Sequence, residues 1–172
     1  MAAAQKKVIL RTFGGALMWG YLPQGGFLHA GGVVLMGVDG RLTTQLINDI
    51  KTIAYVRDFN LDDHVTPERM GRKAFPARTR GDGLWLKLTF RDEDELEGLA
   101  NFDLGFADSL VEDHGLFLSL PDARSNTQRV FVPRTALRSL EVLGVVTAPS
   151  RRLGARSARG PAEDAQAKLF GE

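Results

Sequence analysis

The sequence predicts a mostly β protein built from two tandem five-stranded small barrels, joined by a polar linker and followed by a flexible or short-helical C-terminal tail. Three observations support this prediction. One apolar run has a period of two, typical of a strand with one buried face, and its apolar positions are Leu84, Leu86, Leu88 and Phe90. The same order of strands and turns occurs twice. Short apolar runs end at turn signals such as Asp39–Gly40.

The internal repeat is visible at three places along the chain. The best-matched segments lie 78, 83 and 87 positions apart and are, in order, Val8–Thr12 with Leu86–Phe90, Val33–Leu35 with Leu116–Leu118, and Ile50–Ile53 with Leu137–Leu140. The separation grows between strands, where loops tolerate insertions. A duplicated unit is the simplest interpretation.

Each copy is predicted to contain five short strands. In the first copy they are Val8–Thr12, a strand that ends at Gly20 after the turn Gly14–Gly15, and Gly32–Val38, Arg41–Ile47 and Ile50–Val56. In the second copy they are Leu84–Phe90, a strand that ends at Gly98 after the acidic turn Asp92–Glu95, and Gly115–Leu120, Gln128–Val132 and Leu137–Leu143. Glycine permits the bend that a small barrel needs, and closure removes exposed sheet edges.

The chain divides into four segments. Residues 1–57 and 84–146 form the two barrels, residues 58–83 form the linker, and residues 147–172 form an Arg-rich tail. A barrel of about 60 residues is only marginally stable alone. We therefore expect the two barrels to share an interface.

Composition indicates a globular chain, with 44% hydrophobic and 25% charged residues among 172. There is no cysteine, and the three histidines (His29, His64 and His114) show no ligand spacing, so we expect no metal. No signal peptide or membrane-spanning segment is recognised, and we expect a cytoplasmic protein with no membrane partner.

The segment Leu118–Val132 resembles an uncharacterised bacterial family of duplicated small-barrel proteins, and so does Leu86–Gly98 with its Phe, acidic turn and Gly. The resemblance covers about Lys6 to Leu143. Each copy is also similar to an Sm-like or SH3-like barrel, and Gly98–Asp103 resembles the first Sm motif. The resemblance implies a fold and a duplication, and it implies no activity.

Catalysis has little support in the sequence. The motifs of phosphate-binding loops, zinc proteases and serine hydrolases are missing, so we expect no enzyme and no cofactor. The turn Asp92–Glu95 could bind a divalent cation, but it lacks the ligand spacing of a calcium loop. An acidic, solvated hairpin turn is the favoured interpretation.

A polar loop is the densest group of hydrogen-bonding side chains. Its candidate ligand-binding residues are Arg124, Ser125, Asn126, Gln128 and Arg129. Guanidinium and amide groups on one loop could hold a phosphate or carboxylate. The alternative is a turn whose side chains bond to the local backbone.

Charge is divided unequally between the copies. Residues 1–57 carry six Lys/Arg against two Asp/Glu, whereas residues 84–146 carry six against eleven. Opposite charges predict that the copies pair, within one chain or head-to-tail between chains. If the basic surface stays open, the nucleic-acid candidates are Lys6, Lys7, Arg11, Arg41, Lys51, Arg151 and Arg152.

Two further resemblances concern the linker and the tail. Arginines and a lysine precede a strand as in PilZ barrels, which bind cyclic dinucleotides, and these are Arg69, Arg72, Lys73, Arg78 and Arg80. Gln166, Leu169 and Phe170 resemble the peptide by which bacterial proteins dock on the replication sliding clamp. The alternative is that this segment packs as a short helix.

The sequence therefore predicts a non-enzymatic binding or adaptor module whose partner is a protein or a second copy of the chain. The alternative is a protein that binds single-stranded nucleic acid, such as RNA, through the first copy and the tail. The third option is a nucleotide-responsive regulator of the PilZ type.

Overall fold

A computed structural model describes residues 6–23, 28–29, 31–59, 82–101, 115–120 and 126–147. This part of the chain folds into strands and two short 3-10 turns. The strands are β1 (Lys6–Thr12), β2 (Leu17–Leu22), β3 (Leu28–His29), β4 (Gly32–Met36), β5 (Leu42–Leu46), β6 (Ile50–Val56), β7 (Gly83–Phe90), β8 (Glu95–Ala100), β9 (Gly115–Leu118), β10 (Thr127–Pro133) and β11 (Leu137–Val146). The 3-10 turns, Ile47–Asp49 and Arg134–Ala136, precede β6 and β11.

The mostly β prediction is confirmed, and every predicted strand has a counterpart close to its expected position. The ends of β2 and β8 differ, because both strands continue two residues past the glycine that was expected to end them. Gly20 instead lies inside its strand at a close approach of two backbones. A Cβ atom there would lie 2.3 Å from the Met36 carbonyl oxygen, so glycine allows β4 to pass.

The described strands form two open sheets. The larger has eight strands in the order β3-β4-β2-β1-β6-β10-β9, with β5 on the outer side of β4, and the smaller has the order β11-β7-β8. An isolated bridge between Leu99 and Ser119 connects β8 to β9. Closed five-stranded barrels are not confirmed in this part of the chain, because β9 and β10 join the sheet of the first half.

Both halves nevertheless pair their strands in the same order. The first half runs β5-β4-β2-β1-β6, and the second runs β10-β9-β8-β7-β11 when the bridge between β8 and β9 is included. The two 3-10 turns, at 47–49 and 134–136, are separated by the 87 positions that the repeat predicts. The last strand of the first half, β6, pairs with β10 of the second half. We call this β6–β10 pairing the internal joint.

The internal joint places β6 between two cores, and all seven of its residues are buried. Ile53 and Tyr55 lie in the core of the first half, whereas Ala54 and Val56 lie in the core of the second half. In return, Phe131 of β10 fills the core of the first half. The expected interface between the halves is therefore present, and each half supplies side chains to the other's core.

The predicted inward face of β7 is confirmed. Leu86, Leu88 and Phe90 are fully buried and Leu84 is nearly so, whereas the residues between them are half-buried. In the part of the chain that the structure describes, no helix has the length and apolar character needed to cross a membrane. Most of the linker, residues 60–81, and the tail from residue 148 lie outside the described residues.

Candidate functional site

A cluster of charges links the two halves. Lys51 on β6 is buried, and its Nζ atom lies 2.6 Å from Asp92 Oδ2 and 2.5 Å from Asp94 Oδ2, in the turn between β7 and β8. The same Nζ atom lies 5.0 Å from the centre of the Phe90 ring. Two carboxylates and an aromatic face offset the loss of hydration that a buried ammonium suffers. We call Lys51, Asp92 and Asp94 the charged joint.

The charged joint bears on two hypotheses drawn from the sequence. The cation held by the acidic turn is an ammonium group of the same chain, and no group of three or more metal-ligating side chains occurs among the described residues. Lys51 was a nucleic-acid candidate, but its buried side chain is engaged by carboxylates. These two ion pairs connect a basic residue of the first half with acidic residues of the second half within one chain.

The pKa values of the charged joint reflect this arrangement. Burial alone lowers the pKa of Lys51, but the hydrogen bonds and charges of Asp92 and Asp94 outweigh it, and the net pKa is raised. Burial alone raises the pKa of Asp92, but the hydrogen bond and charge of Lys51 outweigh it, and the net pKa is lowered. The charged forms of both groups are therefore the ones that stabilise the fold.

We expect acid to destabilise the wild-type chain more than the variant Lys51→Met. A carboxylate with a lowered pKa in the folded state contributes stability above its unfolded-state pKa, and this contribution is lost as the pH falls through the folded-state value. The raised pKa of Lys51 affects stability only in alkali: the stability that the protonated lysine contributes is lost as the pH rises above about 10.5. Urea unfolding at about pH 7, 4 and 3 measures the acid effect.

Lys87→Met is the matched control, because Lys87 also lies on a strand and forms an ion pair, of 2.7 Å with Glu95, but this pair lies at the surface and within the second half. This variant should keep the wild-type acid response. At neutral pH, Lys51→Met should itself cost about 1–3 kcal/mol, since two carboxylates lose their partner. Equal acid responses in the wild-type chain and Lys51→Met would contradict the assignment.

The polar loop is described only from residue 126 onward, so Arg124 and Ser125 lie outside the described residues. Asn126 connects the second half to the end of the first half and the start of the linker. Its backbone carbonyl accepts from the Arg57 N–H at 3.1 Å, its side-chain amide donates to the Asp58 carbonyl at 2.8 Å, and its Oδ1 accepts from the Asp58 N–H at 3.0 Å. Gln128 is exposed. The described part of this loop therefore serves the contact between halves through Asn126.

Arg129 lies over two aromatic rings. Its guanidinium is 4.7 Å from the centre of the Tyr55 ring and 4.5 Å from that of Phe117. Burial raises the pKa of Tyr55, and the charge of Arg129 opposes that rise. Stacking of this kind stabilises the joint between β6, β9 and β10. The described contacts of Arg129 are thus with aromatic rings of the joint, and its predicted role in phosphate or carboxylate binding stays a prediction.

The remaining nucleic-acid candidates among the described residues are spread over the first half. Lys7 forms an ion pair of 3.1 Å with Asp58, and Arg41 lies 3.5 Å from Asp39. Lys6 is exposed and Arg11 is half-buried. Arg151 and Arg152 lie outside the described residues, as do the clamp-peptide candidates Gln166, Leu169 and Phe170 and the PilZ-like candidates of the linker.

Strand β5 is the element that the sequence analysis did not single out. It pairs with β4 along one edge, and no described strand pairs with its other edge, which we call the free edge. Leu42 is 69% exposed and Leu46 is 63% exposed, although both are large apolar residues of a strand. They share one face, because they lie four residues apart.

The signal for β5 was present in the sequence but ambiguous. Leu42 and Leu46 flank the polar run Thr43–Gln45. This pattern fits a strand with exposed leucines, but it equally fits an ordinary strand whose two leucines enter a core. The register pairs the core residues Val33 and Leu35 of β4 with Gln45 and Thr43. Leu42 and Leu46 alternate with these two residues and therefore lie on the outer face. An unpaired edge with exposed leucines is typical of a surface that receives another chain.

Comparison with known protein families gives a match. A family described as "Family of unknown function (DUF6982)" matches residues 4–144, which span both sheets except for the last two residues of β11. No curated protein matches the chain.

Proposed function

This chain belongs to the family of unknown function DUF6982, and we propose that it is a non-catalytic protein-binding module whose binding element is the free edge of β5. The single observation that carries the proposal is the exposure of β5, with Leu42 and Leu46 each more than 60% exposed beside an edge with which no described strand pairs. Such an edge accepts an extended segment of another chain, whose backbone completes the ladder.

The shared strand order of the two halves supports a second part of the proposal. Each half is a copy of one five-stranded unit of the Sm-like or SH3-like kind, and the copies have fused their edges at the internal joint. Folds of this size act as binding modules on many unrelated partners, so the site and not the fold must carry the function.

The charges of the first half favour a protein over a nucleic acid as the partner. Lys7 and Arg41 have carboxylate neighbours, and Lys51 is buried in the charged joint. Nucleic-acid binding needs a dense group of cations that can release counterions from phosphates. The first half is basic in total, but three of its six basic residues, Lys7, Arg41 and Lys51, have carboxylate partners.

The test is a pull-down with the tagged full chain from the native lysate, with and without nuclease. The informative variant is Thr44→Pro, which removes an N–H group from β5. Proline is tolerated at an edge strand where the N–H points away from the sheet. We expect a nuclease-resistant protein partner that the wild-type chain retains and Thr44→Pro loses.

Thr44→Val is the matched control, because it keeps the backbone N–H and should retain the partner. A partner lost after nuclease treatment would contradict the proposal and favour nucleic acid. Retention of the same partner by Thr44→Pro and the wild-type chain would show that the free edge of β5 is not the binding element.

A further inference from the structure

We propose that the free edge of β5 binds β11 of a second copy of the same chain, so that copies assemble head-to-tail. This inference rests on the proposed function and names its partner. The template is the internal joint, in which β10 of the second half pairs with β6, the last strand of the first half. In the repeat, β5 corresponds to β10 and β11 corresponds to β6. Among the described residues, β5 pairs only with β4 and β11 pairs only with β7.

The comparison of β6 with β11 shows how a neighbour on the second edge of a strand changes the burial of its side chains. Every residue of β6 is buried, because β1 lies on one side and β10 on the other. On β11, which pairs only with β7 in the described structure, Val142 is 53% exposed and Val145 is 70% exposed. β10 covers the corresponding edge of β6. On β11 these apolar residues lie where a strand equivalent to β10 would cover them.

The backbone of β5 presents its outer groups at alternate residues. The Ile47 amide donates to the Gly31 carbonyl at 3.0 Å, so residue 47 faces β4. Along an antiparallel strand, the backbone N–H and C=O groups of successive residues point alternately to one neighbouring strand and to the other. The register of β4 and β5 continues without a shift. Odd-numbered residues therefore face β4, and the groups at the free edge belong to Leu42, Thr44 and Leu46.

The residues whose backbone groups point to the outer edge of β11 are identified in the same way, from the hydrogen bonds of β7. The Phe90 amide donates to the Asp94 carbonyl at 2.8 Å, so even-numbered residues of β7 face β8 and odd-numbered ones face β11. Lys87 pairs with Glu141, which places the backbone groups of Glu141 against β7. The groups at the outer edge of β11 are therefore those of its neighbours, Leu140 and Val142.

These two edges match in register when the internal joint is used as the template. In that joint Phe131 pairs with Ile53, and Arg129 pairs with Tyr55. A shift of 87 positions, from the first 3-10 turn to the second, converts these pairs into Thr44 opposite Leu140 and Leu42 opposite Val142. Both pairs bring together residues whose backbone groups point outward, and the second covers two exposed apolar side chains.

Charge favours a second copy over an unrelated chain. The first half has a net charge of +4, from six basic and two acidic residues, and the second half has −5, from six and eleven. Head-to-tail pairing places the basic half of one copy beside the acidic half of the next, as in the internal joint. Because the two surfaces differ, the contact is heterologous and continues until a ring closes or an open chain forms.

Cysteine cross-linking tests this register, and the chain has no cysteine of its own. Thr43 faces β4 with its backbone and is predicted to oppose Glu141 of the next copy as a non-hydrogen-bonded pair, in which side chains lie closest. Mixing Thr43→Cys with Glu141→Cys under mild oxidation should give a disulfide between two chains. Thr43→Cys with Val142→Cys is the control, since those side chains point to opposite faces.

Sedimentation of the full chain measures the assembly itself. We expect the wild-type chain and Thr44→Val to form species larger than a monomer at tens of micromolar, and Thr44→Pro and Val142→Lys to remain monomeric while still folded by circular dichroism. A wild-type chain that is monomeric throughout, without the Thr43–Glu141 disulfide, overturns the inference. If that chain still retains a partner sensitive to Thr44→Pro in the pull-down, the proposed function stands and the partner is another protein.

Discussion

Phe131→Ala should lower the free energy of unfolding by about 3–5 kcal/mol, the range for removing a buried aromatic ring. Phe131 belongs to the second half but is 1% exposed in the core of the first half. Its ring centre also lies 5.0 Å from that of Phe117. The substitution therefore removes apolar contacts from one half through a strand that the other half contributes. Urea unfolding of the full chain measures the loss.

Two tryptophans allow the unfolding of each half to be followed separately. Trp19 lies on β2 in the first half and Trp85 lies on β7 in the second. Single-tryptophan versions made with Trp→Phe report on each half separately, and Phe131→Ala should shift both transitions together. Phe117→Ala is the control and should cost less, because Phe117 is 38% exposed. A shift in only one transition would show that the halves unfold independently.

Leu88→Ala should cost about 2–5 kcal/mol, since it removes a leucine from a closely packed core. Leu88 has no exposed surface and lies at the centre of β7, where it pairs with Leu96 on one side and Leu140 on the other. The remaining neighbours are held by two strands and close the cavity only in part. Chemical denaturation followed at Trp85 is the direct measurement.

Thr89→Ala is the matched control for Leu88→Ala, because Thr89 is the next residue of the same strand and points to the half-buried face. We expect it to change stability by less than about 1 kcal/mol. Equal losses for the two substitutions would mean that the inward face of β7 is not the one that alternation assigns.

The charged joint shows why a site is harder to predict than a strand. Lys51 sits in a run of residues, Ile50–Val56, that the sequence correctly identifies as a strand. Nothing in that run indicates that its lysine is buried against Asp92 and Asp94, which lie more than forty positions away. As an isolated cation it suggested phosphate binding, and the tertiary contact makes it part of the joint.

The sequence by itself determined the strands apart from β3, the turns and the inward face of β7. Periods of two and glycine-rich turns are local, and they depend only on how a pleated backbone alternates its side chains. The tertiary structure alone decided which edges meet. Alternation states which face of a strand is apolar, but both edges of any strand carry the same backbone groups, so no local pattern distinguishes a barrel closed on itself from the pairing of β6 with β10.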